Sequence, residues 1–551
     1  MSNVPFKQTQ LDEGELAMTD LRFAVQTALL IGAAFIMTLA SAASQAQSVL
    51  RLISQSDLTV LDPVFSTANI TSNHGYMVYD QLFGLDSKRV PKPQMVDTYQ
   101  QSSDGLIWKF KLRSGLKFSD GQPVEAKDVV ASVKRWAGRH AAGRTVMTRV
   151  KELVATGPDT FEFRFSAPFA PLLYALAEPE TPLFIMREKE ANTDVNTQIA
   201  EVVGSGPFLF VKEEWLPGAK AVYRKNPAYV PRSDPPDGFA GAKIAKVDRV
   251  EWLYLPDPNT ATQALIRGEG DVMEIPPTDL IPILAKDPNV VMQVIDKTGT
   301  QAIIRPNHLF PPFDNAKARQ ALLYLVGDQK DTLAVLVGRP DLEIPCWAVF
   351  VCNTPLATTA GVGDWAKGNR KANLEKAKQL LKESGYDGRP IVMLDPTDQA
   401  LIHKGVLVVA EGLREIGANV DLQAMVWASV LSRRQVKEAP GPRSGGWNIF
   451  STWGGGVIIG NPLANPWAAS PCDGKNWFGW VCDEELEKMR LEFITSTGPQ
   501  REELAKRYQT RFYETVPYVI LGQYMAPIAY RKNVSGVLET PRLVLWNIEK
   551  K

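Results

Sequence analysis

Apolar positions along this chain recur with two periods. Residues 48–53 (Ser-Val-Leu-Arg-Leu-Ile) alternate closely enough to predict a strand. Phe161-Glu162-Phe163-Arg164-Phe165 alternates strictly, the pattern of a strand with one face buried. A helix is predicted over 70–81, where Met77 and Val78, then Leu82 and Phe83, fall near helical spacing, and another over 126–136. Residues 106–118 read as a hairpin turning at Arg113-Ser114-Gly115, with Leu116-Lys117-Phe118 resuming the strand. The second half carries a compact α/β signature. Asn373 is placed to cap a helix running to Glu383, with Leu374, Ala377, Leu380 and Leu381 on one face and Gly385 ending it. A strand over 391–394, a helix over 398–416 and a strand over 420–425 then make a βαβ unit with a parallel pair. The Pro/Gly-rich stretches at 230–241 and 438–446 read as surface loops, because the strand signals on either side keep their character. The fold class is therefore α/β.

The N-terminus departs from this pattern. Residues 28–37 are unbroken apolar sequence, and Ser44-Gln45-Ala46 offers small residues around a cleavage point. That layout predicts a secretory signal peptide over 1–46 and a periplasmic mature protein. Met18 is an alternative start, leaving Arg22 as the leader's cation. An uncleaved anchor is the competing reading, since 23–43 approaches the ~20 residues that span a bilayer. Gln26, Thr27 and the small residues after Leu39 argue against it.

Composition narrows the class further. Of 551 residues, 45% are hydrophobic and 22% charged, with a formal net charge of zero, so nothing favours nucleic acid as a partner. The four cysteines form two close pairs beyond the leader, and in an oxidising compartment two local disulfides are expected, Cys346 with Cys352 and Cys472 with Cys482. No nucleophile elbow, zinc-protease or phosphate-loop motif occurs, and Gly454-Gly455-Gly456 is not followed by Lys-Ser/Thr. Four histidines leave little for acid–base chemistry or metal ligation, so neither catalytic residues nor a metal or cofactor is expected. Several of the thirteen tryptophans sit in Gly/Pro-rich loops, among them Trp347, Trp427 and Trp453, where they either plug the core or line a cleft. Arg305 ends an apolar stretch and is expected to need an anion, either an internal carboxylate or one on a ligand.

Read in order, the segments resemble the family 5 extracellular solute-binding proteins, the peptide-, dipeptide- and nickel-binding components of ABC importers. The likeness begins at Leu61-Asp62-Pro63 and Val78-Tyr79-Asp80-Gln81-Leu82-Phe83. It is strongest over 103–124, from Ser103-Asp104-Gly105-Leu106-Ile107-Trp108 to Ser119-Asp120-Gly121-Gln122-Pro123-Val124, with Ala126-Lys127-Asp128-Val129 following. It continues through Gly204-Ser205-Gly206-Pro207-Phe208, Arg224-Lys225-Asn226-Pro227, Arg267-Gly268-Glu269-Gly270-Asp271, Pro312-Phe313-Asp314-Asn315 and Arg319-Gln320-Ala321-Leu322.

The resemblance implies a type II periplasmic binding protein of the cluster C kind: two lobes, a hinge, and mixed sheets flanked by helices. Its three domains fall at 47–88 with 206–296 and 518–551, at 89–205, and at 297–517. It implies a monomer that closes on a peptide or small organic solute and docks on the permease subunits. Candidate ligand contacts are Tyr76, Arg305, Trp347, Trp427, Arg434 and Trp453, with Trp427, Arg434 and Trp453 carried over from peptide binders. In those proteins an Asp shortly after the equivalent of Trp453 meets the ligand's α-ammonium, whereas here Gly454, Gly455 and Gly456 stand there. An unpaired buried ammonium is costly. The ligand is then a capped, cyclic or opine-like derivative, another organic solute or a metal chelate, or else another carboxylate substitutes. A nickel-type chelate receptor and a periplasmic enzyme are the alternatives.

Overall fold

In a computed structural model, the described residues are 47–441 and 444–551, with Met1 and Pro5. The predicted leader therefore lies outside them, except for those two positions. Val49–Lys551 holds together as a unit separate from Met1–Ser48. Three sheets organise it. The first has seven strands gathered from distant parts of the chain: Val290–Val294, Pro527–Arg531, Val272–Met273, Val49–Ile53, Arg249–Leu253, Lys220–Lys225 and Phe208–Phe210, in that order. Val49–Ile53 runs parallel to both of its neighbours, and the other pairings are antiparallel. The second sheet has six strands, in the order Glu343–Ile344, Val519–Tyr524, Thr300–Pro306, Ile449–Gly455, Ile391–Pro396 and Val420–Met425. The third is a four-stranded antiparallel meander-like sheet of Val96–Gln101, Ile107–Leu112, Thr160–Phe165 and Val150–Ala155, packed against the helix Ala126–Arg139.

The chain passes between the first two sheets twice, from Val294 to Thr300 and from Tyr524 to Pro527. The two crossings touch. Gln523 donates to the Thr298 carbonyl at 2.7 Å, and Gly299, at φ 75°, presses its backbone against the Tyr524 carbonyl. A β-carbon at Gly299 would lie 2.9 Å from that oxygen, so both backbone angle and space require glycine.

Several sequence expectations hold. Thr160–Phe165 buries every second residue, and Ile391–Pro396 with Val420–Met425 forms the expected parallel pair around the helix Ala400–Glu415. Asp128 closes a capping box on Glu125 at the start of Ala126–Arg139. Two are corrected. Residues 106–118 do not form a hairpin, because Ile107–Leu112 pairs with Val96–Gln101 and Thr160–Phe165. Its turn signal is real, but the chain after it makes only the single bridge Lys117–Pro123 before the helix. The helix Arg370–Glu383 is capped by Asn369, not Asn373, which lies inside it and donates to the Trp365 carbonyl.

Candidate functional site

A cleft separates the first sheet's loops from those of the second. Its walls come from Gln55, Thr67, Asn69 and Glu180 on one side and from Gln399, Trp427, Arg434 and Trp453 on the other. Trp453, on Ile449–Gly455, also borders the two adjoining hollows that extend the cleft towards Asp296 and Thr278. Side chains bridge it. Gln399 donates to the Gln55 carbonyl and the Tyr254 hydroxyl to Asp398, each at 2.8 Å, while Arg434 and Trp477 both reach the Thr67 hydroxyl at 3.4 Å. This is a closed arrangement, in which the cleft proper encloses only about 70 Å³.

The two ends of the cleft have opposite charge. At one end stands Arg434, 4% exposed, at the C-terminus of the helix Trp427–Arg433. Four aromatic rings surround its guanidinium: Trp427, Phe450, Trp477 and Phe478, the last 4.4 Å away. Its Nε has no partner, and among the described residues the guanidinium's one hydrogen bond is the long contact to Thr67. Burial, then the nearby Arg139 charge, pushes its pKa down to about 9. A guanidinium left without a carboxylate in a dry pocket is costly unless an anion arrives.

At the other end Glu180, Glu274 and Asp296 line the hollow beside Trp453, and Arg542 is the cation that lines it with them. Arg542 binds Glu180 Oε2 at 2.6 Å, with both side chains buried. Glu274 accepts from Asn73 and from Gln55, and burial raises its pKa. Burial likewise raises Asp296 to about 6; the Glu180 charge adds to this, and hydrogen bonds from Thr298 oppose it. Two of the carboxylates, Glu180 and Asp296, reach the glycine run. A β-carbon at Gly455 would stand 2.9 Å from Glu180 Oε1 and 3.9 Å from Asp296 Oδ2. Carboxylates from other segments thus stand beside the glycine run, and no local signal in the sequence marks them.

Of the six expected ligand contacts, the structure brings Trp427, Arg434 and Trp453 together on the cleft wall. Tyr76 lies in the core, donating to the Pro179 carbonyl and packing on Phe184, Phe239 and Trp546, with Arg542 over its ring. Trp347 packs on Trp365, away from the cleft. Arg305 is fully buried and among the described residues meets no carboxylate, which corrects the expectation of an internal one. Carbonyls of Phe478, Trp467 and Pro517 accept from it, and its guanidinium sits 5.1 Å from the Trp477 ring, which it buttresses from behind. Both cysteine pairs are joined, Cys346 to Cys352 and Cys472 to Cys482.

The model of the bacterial extracellular solute-binding proteins, family 5 Middle, matches residues 90–476. The chain belongs to that family. Over 497 residues it is 39% identical to the probable peptide ABC transporter periplasmic-binding protein y4tO of Sinorhizobium fredii, covering 90% of this chain and 92% of that one. It is 25% identical over 493 residues to the glutathione-binding protein GsiB of Salmonella typhimurium, covering 87% and 90%. Among solved structures, the PBP AgaA in complex with agropinic acid, from A. tumefacien R10, aligns with a TM-score of 0.75 at 20% identity, covering 91% of this chain and 99% of that one. At that identity the likeness speaks for the fold alone, the two-lobed, hinged type II periplasmic binding protein. Among the described residues no helix is long and apolar enough to cross a membrane, and no group of three His, Cys, Asp or Glu side chains is set to hold a metal ion.

Proposed function

We propose that this chain is the periplasmic substrate-binding component of an ABC importer and that it carries a zwitterionic, peptide-like organic solute between its lobes. The observation that carries the reading is Arg434, a caged guanidinium without a carboxylate, facing the carboxylates Glu180, Glu274 and Asp296 across one cleft. A ligand carboxylate satisfies the first and a ligand ammonium the second, while Trp427 and Trp453 pack on what lies between. Family membership and the named role of the S. fredii relative support transport rather than catalysis. The acids sit on Arg542, Asn73 and Gln55, arranged to hold a cationic group rather than to coordinate a metal. The three domains fall at 47–88 with 206–296 and 518–551, at 89–205, and at 297–517. The hinge is formed by the paired crossings near Gly299 and Met525. The protein is exported, works as a monomer, docks closed on its permease and binds no nucleic acid.

Calorimetry with a free dipeptide, its N-acetyl form and its C-terminal amide tests this. Both blocked forms are expected to bind at least tenfold more weakly. Equal binding of all three would overturn the zwitterion reading.

A further inference from the structure

Most of the enclosed space lies outside the central cleft. Beyond Trp477 a chamber of about 470 Å³ opens between the helices Ala126–Arg139 and Ala141–Met147 on one side and residues 466–490 on the other. It shares Thr67, Thr181, Pro466 and Trp477 with the cleft, so the two lie side by side with these residues between them. Its size falls within the range of small-molecule sites, and the cleft proper is several times smaller.

The chamber is basic. Arg139, Arg144, Lys475 and Arg490 line it against Asp473 and Glu487. Arg490 is committed to Glu487 at 2.6 Å. Among the described residues the remaining cations form no ion pair. Arg139 donates only to the amide oxygens of Asn196 and Gln435, and Arg144 to the Arg139 carbonyl, leaving its Nε unpartnered. Asp473 acts on Arg144 through space without forming an ion pair with it. Arg434, on the wall of the adjoining cleft and over the Trp477 ring, adds a further positive charge. A cavity with guanidinium groups outside any ion pair, an excess of cations over carboxylates in its lining and room for several heavy atoms suits an oxyanion.

We propose that this chamber is a second ligand compartment, and that the transported solute carries an acidic arm, ending in a carboxylate or phosphate, that passes Trp477 into it. The inference rests on the cleft holding the solute's zwitterionic part. It adds that the solute is net anionic and longer than a dipeptide of neutral side chains. The Cys472–Cys482 bond closes the loop that supplies Asp473, Lys475, Asn476 and Trp477, so the chamber wall is held in place covalently.

The test is binding of four tripeptides to the full mature protein: Ala-Ala-Glu, Ala-Ala-Gln, Ala-Ala-phosphoserine and Ala-Ala-Ser. Each acidic peptide is expected to bind at least tenfold more tightly than its neutral partner. Which of the two acids gains more identifies carboxylate or phosphate as the natural group. In Arg144→Gln the acidic peptides are expected to fall towards the neutral ones. Lys475→Gln, at an exposed loop position, is expected to narrow the gap as well and serves if the first variant does not fold. Equal affinity within both pairs, or a gap that survives both substitutions, would overturn the chamber while leaving the cleft reading intact. Binding by none of the four would overturn both.

Discussion

Glu180 Oε1 stands 2.9 Å from where a β-carbon on Gly455 would lie. The carboxylate comes from a loop, and the glycine is the last residue of a central strand of the second sheet; both line the same hollow of the cleft. Their approach leaves Glu180 and Asp296 open to a ligand at the position where the glycine run lacks an acid of its own.

Filling that space should block the site. In Gly455→Ala the new methyl group must displace Glu180, which Arg542 holds. Ligand affinity is expected to fall about tenfold or more, while unfolding of the ligand-free protein shifts by only about 1–2 kcal/mol. Calorimetry and thermal melts of the same preparation check both.

Arg434 is expected to separate stability from binding. Arg434→Met removes a buried cation that no internal carboxylate pairs. The ligand-free variant should be as stable as the parent or more so, by about 1–3 kcal/mol. Affinity should drop by about a hundredfold, because the ligand's anion loses a desolvated partner. A large loss of ligand-free stability would assign Arg434 a structural role instead.

Asp296 makes the site sensitive to pH. Its pKa rises from the ordinary 3.8 to about 6 on folding, so the folded state takes up a proton that the unfolded state has already lost. Stability of the ligand-free protein is therefore greatest below pH 4 as far as this group is concerned, and falls as pH climbs to about 6. Binding of a cationic group has the opposite sense, strengthening as pH passes upward through about 6. Asp296→Asn should flatten both profiles and raise ligand-free stability at neutral pH by on the order of 2 kcal/mol. Titrations between pH 4.5 and 8 read the effect. The charges acting on Asp296 are Glu180, which raises its pKa, and Arg89, which lowers it, so Arg89→Gln should move the transition upward.

Removing the Cys472–Cys482 bond should cost about 2–3 kcal/mol, the usual scale for a short closed loop. It should also weaken ligand binding, since the loop carries Trp477, which touches Arg434, Arg305 and Thr67. Loss of Cys346–Cys352 should lower stability and leave affinity nearly unchanged, as neither residue lines the cleft.

How far the sequence foretold this depended on whether the signal was local. Thr160–Phe165 and the βαβ unit were legible because burial follows their own periodicity. The supposed hairpin after Ile107 was misread because the strand's partners are Val96–Gln101 and Thr160–Phe165, the second more than forty residues away. The same limit governs the site. Trp427, Arg434 and Trp453 could be placed by resemblance, and the glycine run showed where a carboxylate was missing. Glu180 and Asp296 could not be read, since one lies in a Pro-flanked loop and the other on a crossing between sheets. Only tertiary folding brings them to Gly455. Arg305 was expected to need an anion, an internal carboxylate or one on a ligand; inside the protein, backbone carbonyls of Phe478, Trp467 and Pro517 accept from it instead.

The most direct measurement is mass spectrometry of the small molecules released on denaturing the protein purified from its native periplasm. The account predicts an amino-bearing organic solute, or a narrow set of them, with at least one carboxylate and a further acidic group. A released metal complex, a neutral compound, or a solute converted to product during incubation would contradict it.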